Sequence, residues 1–272
     1  MLIALHARRS ASSIARYAEV YPRRPLVLVL TGTDLYRDIR VDPQAQRSLA
    51  LATRLVVLQG AGLDELDAGL AAKAAVIYQS ASTLVPGRRS RRFFDRALVG
   101  HQRPEKDPLT ALRALRLVPG ELPVRLFHVG AALDVELAAE VARLGAGDAR
   151  YHWLGALPQP ETRQRIKRCH LLLLPSRMEG GANVLIEAVT SGVPVLGSDI
   201  SGNRGMLGAD YPGWFPAGDA GRLSELIVRA ARDTRYYSDL AARCAERAAL
   251  FTPARECAAV CRLLDLTRQS TP

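Results

Sequence analysis

Residues 171–196 form the segment whose residue types and spacing are best suited to chemistry. A run of four leucines ends at Pro175, a turn with two glycines follows, and helical periodicity begins near Asn183. Glycines let a backbone approach an anion closely, and the free N–H groups at the start of a helix attract negative charge. The pattern therefore predicts a diphosphate site, in which Glu187 accepts hydrogen bonds from a ribose diol and Glu179 faces the group on the far phosphate. Its candidate residues are Glu179, Gly180, Gly181, Ala182, Asn183 and Glu187.

A second loop, Val99–Asp107, adds positive charge in front of another predicted helix. Its candidate residues are Gly100, His101, Arg103 and Lys106. Arg103 offers a planar fork to a phosphate and Lys106 a point charge. Lys106 is one of three lysines among 37 basic residues. The alternative interpretation is structural, with an exposed lysine at a helix start and solvated carboxylates on an ordinary turn.

A third group follows two predicted strands of the first half of the chain. Its candidate residues are His6, Arg8, Thr33 and Asp34. Because the carboxyl ends of parallel strands meet at one edge of a sheet, we expect this group to face the other two across a cleft, with His6 and Asp34 as catalytic candidates. A structural histidine and a helix-capping aspartate are the alternatives.

Short apolar runs alternate with stretches of helical periodicity along the chain, which is the βα pattern of parallel sheets covered by helices. The predicted fold class is α/β, with two Rossmann-like, doubly wound domains: residues 1–85, an arginine-rich linker at 86–95, and residues 96–272. The first domain is expected to be incomplete, because no strand with a glycine-rich turn precedes the opening strand. The predicted strands are Leu2–His6, Leu26–Thr31, Leu55–Leu58, Val76–Gln79, Ala97–Gly100, Arg125–Val129, Tyr151–Leu154, Leu171–Leu174 and Val193–Leu196. The predicted helices in the second half are Pro108–Leu117, Val135–Leu144, Glu161–Lys167, Val184–Ser191, Arg222–Arg232, Arg235–Leu250 and Ala254–Leu266.

Composition excludes several other classes of protein. The formal net charge is +10, but the basic residues are scattered and lack interleaved aromatics, so no nucleic-acid partner is expected. The four cysteines form no CxxC pair, and they are interpreted as small buried hydrophobes in a reducing compartment. No apolar run reaches the ~18 residues of a membrane span and no signal peptide is visible, so we expect a cytoplasmic protein without stable membrane insertion. No Asp-x-Asp sequence occurs, and neither a metal nor a cofactor is expected.

Taken together, these motifs resemble the retaining GT-B glycosyltransferases of family 4. More narrowly, five segments look like the selenosugar synthases of selenoneine biosynthesis, namely Leu5–Ser10, Leu30–Asp38, Val99–Pro108, Pro175–Val184 and Tyr211–Pro216. Family 4 members place an arginine directly after the glycine of the phosphate loop, whereas His101 stands there in this chain.

The resemblance implies a reaction in which selenophosphate attacks the anomeric carbon of a UDP-sugar, UDP-GlcNAc in the first instance. By analogy, Glu187 would hold the ribose, Glu179 and His6 the sugar, and Arg103 with Lys106 the leaving diphosphate. A basic cleft that includes Arg8 would attract the anionic acceptor. Two alternatives stay open: a family 4 transferase of cell-envelope glycan synthesis, and a truncated, non-catalytic module that binds sugar nucleotides.

Overall fold

The computed structural model describes residues 1–269 and contains two parallel sheets. The first sheet has the strand order β1-β2-β3-β4, with β1 at Leu2–Leu5, β2 at Leu26–Leu30, β3 at Arg54–Val57 and β4 at Ala74–Val76. Its helices are α1 (Ala11–Val20), α2 (Ile39–Val41), α3 (Pro43–Leu51) and α4 (Ala68–Ala71), and a π-helical turn at Asp34–Asp38 runs into α2. The first three predicted strands of this half are confirmed to within one residue at each end, whereas β4 lies two to three residues earlier than predicted and shares only Val76 with the prediction.

The second sheet has six parallel strands in the order β10-β9-β8-β5-β6-β7. Its strands are β5 (Phe94–Val99), β6 (Val124–Val129), β7 (Tyr151–Trp153), β8 (Leu171–Leu174), β9 (Val195–Ser198) and β10 (Trp214–Phe215). Its helices are α5 (Pro108–Leu117), α6 (Val135–Gly145), α7 (Gln159–Ile166), α8 (Asn183–Val189), α9 (Ser201–Leu207), α10 (Ala220–Arg232), α11 (Thr234–Ala248) and α12 (Pro253–Gln269). The α/β class with two parallel-sheet domains is thereby confirmed.

Local chemistry explains where the elements near the site begin and end. All four leucines of β8 are at most 1% exposed, because helices cover both faces of a parallel sheet. Helix α5 begins with Pro108 in its first turn, and the Asp107 carboxylate accepts a hydrogen bond from the N–H of Thr110. Gly192, with a φ of +68°, ends the turn after α8 as its position predicts.

Two strands of the second sheet depart from the sequence prediction. Strand β5 begins at Phe94, inside the span predicted as linker, because Phe94 and Asp95 pair with Val124 and Arg125 of β6. Charged residues at its start conceal the apolar pattern of that strand. Strand β10 was not predicted, since two residues are too few to show a periodicity.

The chain crosses between the two sheets twice. Residues 77–93 connect β4 to β5 without helix or strand. Helix α12 then returns, and its residues Val260 and Leu263 pack on the face of the first sheet formed by Val27, Val56 and Ile77. The packing of α12 on the first sheet therefore attaches the first domain to the end of the chain that follows the second domain.

Two inferences from composition can be compared with the structure. Cys169 and Cys244 are buried free thiols, as expected, whereas Cys257 and Cys261 are exposed on α12, so the prediction that all four are buried was wrong. Both lie on the side of α12 that faces away from the sheet. Within residues 1–269, no helix has the length and apolar character that crossing a bilayer requires.

Candidate active site

The loops that carry the three groups of predicted residues meet where the two sheets face each other. Gly180, after β8, lies directly against the backbone of Thr31 and Gly32, after β2. An added Cβ at Gly180 would fall 2.7 Å from the Cα of Gly32 and nearer still to the Thr31 carbonyl. Gly181 packs in the same way on Leu58, after β3. The two glycines are therefore required for the close approach of the domains.

Lys106 lies beside this glycine turn, as the sequence predicts. Its Nζ is 2.6 Å from Oε1 of Glu179, and the Ser176 hydroxyl donates to the same oxygen at 2.7 Å. The two charged side chains are 19% and 8% exposed. A partly buried ion pair thus places a cation at the edge of the turn, and its carboxylate can exchange for another anion.

The backbone of Gly100 is held from the side of β6. The Nε2–H of His128 donates to the Gly100 carbonyl at 3.2 Å, and the Tyr151 hydroxyl donates to Nδ1 at 2.8 Å. Burial lowers the pKa of His128 to about 4, so the ring is neutral near pH 7 and has one donor and one acceptor nitrogen. This support was missed, because a histidine inside an apolar strand gives no signal of its partner.

His101 and Arg103 lie in the same loop as Lys106 and make other contacts. The exposed His101 accepts a hydrogen bond from the N–H of Ala131 through Nδ1 at 3.0 Å. Arg103 is half-buried at the start of the turn Pro104–Lys106, and within the described residues it forms no ion pair. Arg177 was not predicted, yet its N–H donates to the Glu105 carbonyl at 2.8 Å and its guanidinium is 2.9 Å from the Asp107 carboxylate.

Helix α8 presents the residues expected at its start. It begins at Asn183, and Ala182 precedes it without a side-chain cap. Glu187, one turn further, is 7% exposed, and its Oε1 accepts a hydrogen bond from Nε2 of Gln159 at 2.8 Å. Gln159 begins α7 and was not predicted. The amide orients the carboxylate and leaves Oε2 available for a hydroxyl.

His6 has a strained backbone and a defined ring orientation. Its φ is +71°, which costs a residue with a side chain about 1–3 kcal/mol. The N–H of Arg9 donates to Nδ1, so Nε2 carries the proton and donates to the Thr33 hydroxyl at 3.0 Å. A strained backbone of this kind persists only where contacts from neighbouring residues hold it in place.

Asp34 supplies those contacts. It is fully buried, and its carboxylate accepts hydrogen bonds from the N–H groups of Ala7, Thr31 and Gly32 and from the Thr31 hydroxyl. These hydrogen bonds occupy both oxygens of the carboxylate. We therefore assign Asp34 to positioning the loops after β1 and β2, in place of the predicted catalytic role.

Tyr36 and Ser201 line a cavity of about 90 Å³ next to Glu179, again between the domains. The Tyr36 hydroxyl accepts a hydrogen bond from Nε2 of Gln59 at 2.7 Å and lies 3.5 Å from the Ser201 hydroxyl. Burial raises the pKa of Tyr36, so the hydroxyl stays protonated. None of these three residues was predicted, because their contact depends on the docking of the domains.

Two parallel-sheet α/β domains that face each other are the fold of the GT-B glycosyltransferases. The fold resembles Anabaena Alr3699/HepE, solved in complex with UDP and glucose, with a TM-score of 0.78 and 19% identity over 94% of this chain and 76% of that one. It also resembles the pneumococcal O-GlcNAc transferase GtfA in complex with UDP and GlcNAc, with a TM-score of 0.75 and 17% identity over 93% of this chain and 54% of that one.

The chain belongs to the family described as glycosyl transferases group 1, whose profile matches residues 96–251. It is also similar to the amylovoran biosynthesis glycosyltransferase AmsK of Erwinia amylovora, with 34% identity over 83 residues. That similarity covers 28% of this chain and 20% of AmsK, so the chain matches about a fifth of the length of that relative.

Proposed function

We propose that this protein transfers the sugar of a UDP-sugar, UDP-GlcNAc in the first instance, to selenophosphate. The observation that supports the proposal most is the ion pair between Lys106 and Glu179 beside Gly180 and Gly181. It places a cation beside the backbone of the glycine turn, between the domains. A leaving diphosphate needs this combination of donors.

In this proposal the second domain holds the donor. Glu187, oriented by Gln159, accepts hydrogen bonds from the ribose hydroxyls. The pyrophosphate lies against Lys106 and the glycine turn, and it takes the place of Glu179 on the lysine. The freed Glu179 then accepts hydrogen bonds from the sugar. Arg103, at the start of the same turn, adds a second positive charge, and Lys106 is the primary cation.

Transfer requires that negative charge be stabilised as UDP leaves. Selenium of the acceptor attacks the anomeric carbon, a carbon–selenium bond forms, and the bond to the UDP oxygen breaks with its electron pair going to UDP. A preorganised cation and backbone donors stabilise that charge without having to reorganise during the step. Because selenophosphate is already an anion, no general base beside the acceptor is required. His6, fixed through Thr33, contacts the donor sugar from the first domain.

A second candidate function is transfer of the sugar to a glycan of the cell envelope. The similarity to AmsK, whose name places it in amylovoran biosynthesis, favours this alternative. The two candidates share the donor site and differ in the acceptor.

The test is release of UDP from UDP-GlcNAc by the purified protein, measured with selenophosphate, with a sugar acceptor and with a lipid-linked acceptor. Release with selenophosphate, together with a carbon–selenium product identified by mass spectrometry, is the expected result. Release with a glycan acceptor alone would refute the selenium proposal in favour of the second candidate. Binding of UDP without release with any acceptor would indicate a binding module.

A further inference from the structure

One buried carboxylate orients two exposed guanidinium groups at the rim of the first domain. Asp38 ends the π-helical turn after β2, and its side chain is 4% exposed. Nε of Arg37 lies 3.1 Å from one of its oxygens, and Nε of Arg8 lies 3.3 Å from the other. The two arginine side chains are 48% and 47% exposed. Asp38 therefore accepts a hydrogen bond from Arg37 and forms an ion pair with Arg8 without covering either side chain.

The terminal nitrogens of this pair are available to a ligand. Each arginine meets Asp38 through Nε, and nothing in residues 1–269 accepts a hydrogen bond from the terminal nitrogens of Arg8 or Arg37. A guanidinium group has a planar fork of N–H donors that matches the oxygens of a phosphate. Two such forks on one carboxylate form a site suited to a small oxyanion.

Arg37 also reaches the second domain, at the loop that holds the ion pair. Its terminal nitrogen NH1 is 3.7 Å from Oε1 of Glu105, and Glu105 directly precedes Lys106. On the other side, Nε2 of His6 is 3.8 Å from the Asp38 carboxylate. An anion on the two arginines would therefore lie between His6 and the loop of Lys106, beside the proposed position of the donor.

We propose that Arg8 and Arg37 bind the anionic acceptor and that Glu105 occupies the position of this anion until the acceptor displaces it. The inference rests on the proposed function, which it deepens by assigning the acceptor site. At 3.7 Å Glu105 is too far from Arg37 for a hydrogen bond, and ion pairs with this degree of exposure contribute little to stability. A phosphate-type anion that forms charge-assisted hydrogen bonds to both forks would replace it readily.

Two single variants separate this proposal from a purely structural ion pair. Arg37→Ala removes half of the site, and the KM for selenophosphate should rise about 10- to 100-fold, which is the effect of losing a charged hydrogen bond. Glu105→Gln removes the competing carboxylate, and the same KM should fall by about 2- to 5-fold, which is the effect of losing a weak exposed ion pair. If the ion pair served only to hold the domains together, both variants would change KM in the same direction, and that result would overturn the proposal.

A matched control is available on the adjacent turn. Arg40 is exposed to a similar extent, 58% against 48% for Arg37, and pairs with Glu65 of its own domain instead of with Asp38. Arg40→Ala should leave the KM for selenophosphate within about twofold of the wild-type value. A rise equal to that of Arg37→Ala would mean that general surface charge, and not a defined site, attracts the anion.

Calorimetry with selenophosphate and the UDP-loaded protein, under anaerobic conditions, tests the site independently of turnover. We expect binding to the wild-type protein and its loss in Arg37→Ala, with the Kd for UDP unchanged. Equal binding to both proteins, or none to either, overturns the acceptor site. If selenophosphate binds as described and no UDP is released, the proposed function fails while the anion site stands.

Discussion

Substitution of Gly180 by alanine tests the closeness of the two domains at the site. The backbone at Gly180 is not in the left-handed region, so alanine is tolerated locally. The added Cβ would instead meet backbone atoms of the other domain, among them the Cα of Gly32 at 2.7 Å. Because both partners are main chain, no side chain can rotate away to relieve the contact.

The size of the effect follows from that distance. An ordinary contact of 3.4 Å requires Gly32 to retreat by at least about 0.7 Å, and the nearer Thr31 carbonyl requires more. Overpacking of this kind costs about 1–3 kcal/mol if the domains stay in place. Opening of the domains by about 1 Å would relieve the contact, and because Gly181 packs on Leu58 beside it, the loops at this edge would move together. A misplacement of that size lowers turnover about 100-fold.

Donor binding should respond less than turnover. Lys106, Glu179 and Glu187 all belong to the second domain, and the proposed contact of the glycine turn with the diphosphate is made by backbone N–H groups, which alanine at position 180 keeps. We expect kcat for UDP release to fall about 100-fold while the Kd for UDP, measured by calorimetry, changes by less than about threefold. Gly120→Ala is the matched control, since nothing lies within 4 Å of an added Cβ there. A Gly180→Ala protein with kcat within about threefold of wild type would refute the reasoning.

Three further predictions concern single groups. Lys106→Ala should lower kcat by ~100-fold, as expected when a donor that stabilises charge is lost. The control Lys167→Ala should leave kcat within about twofold of the wild-type value, and an equal fall of kcat in both variants would show that Lys106 is not part of the site. Glu187→Gln should weaken UDP binding by about 1–3 kcal/mol in calorimetry, and a loss confined to kcat at saturating donor would contradict its ribose role. The pKa of His128 in the folded state is about 4, below its ordinary value of about 6.5. The buried neutral ring therefore contributes its full stabilisation of the fold above pH 6.5, and this contribution is lost as the pH falls toward 4. The free energy of unfolding in urea should therefore fall between pH 7 and pH 5 in the wild type, and it should fall by about 2 kcal/mol less in His128→Gln. Tyr151→Phe keeps the ring buried, so its free energy of unfolding should depend on pH as in the wild type. An equal fall in His128→Gln and the wild type would refute this assignment.

Much of the architecture was predictable because it is encoded locally. The leucines of β8, the glycine turn and the start of α8 at Asn183 lie within about a dozen consecutive residues, and each depends on its neighbours in the chain. The rule that parallel strands end at one edge then places the loops of Lys106, Glu179 and His6 on facing edges. Sequence reasoning therefore predicted the class of fold and the region of the site.

The pairing of side chains was decided by tertiary structure. Lys106 and Glu179 are 73 positions apart, and whether they form an ion pair or stay solvated depends on the registers of β5 and β8. The sequence around Asp34 was compatible with a catalytic role. The structure shows instead that the carboxylate is buried and accepts hydrogen bonds from the N–H groups of Ala7 and Gly32. Arg37 and Glu105 face each other solely because two domains dock. Local sequence determines which turns and edges form, whereas hydrogen bonds and charge pairs between distant segments depend on distances of a few tenths of an ångström that only the packed chain establishes.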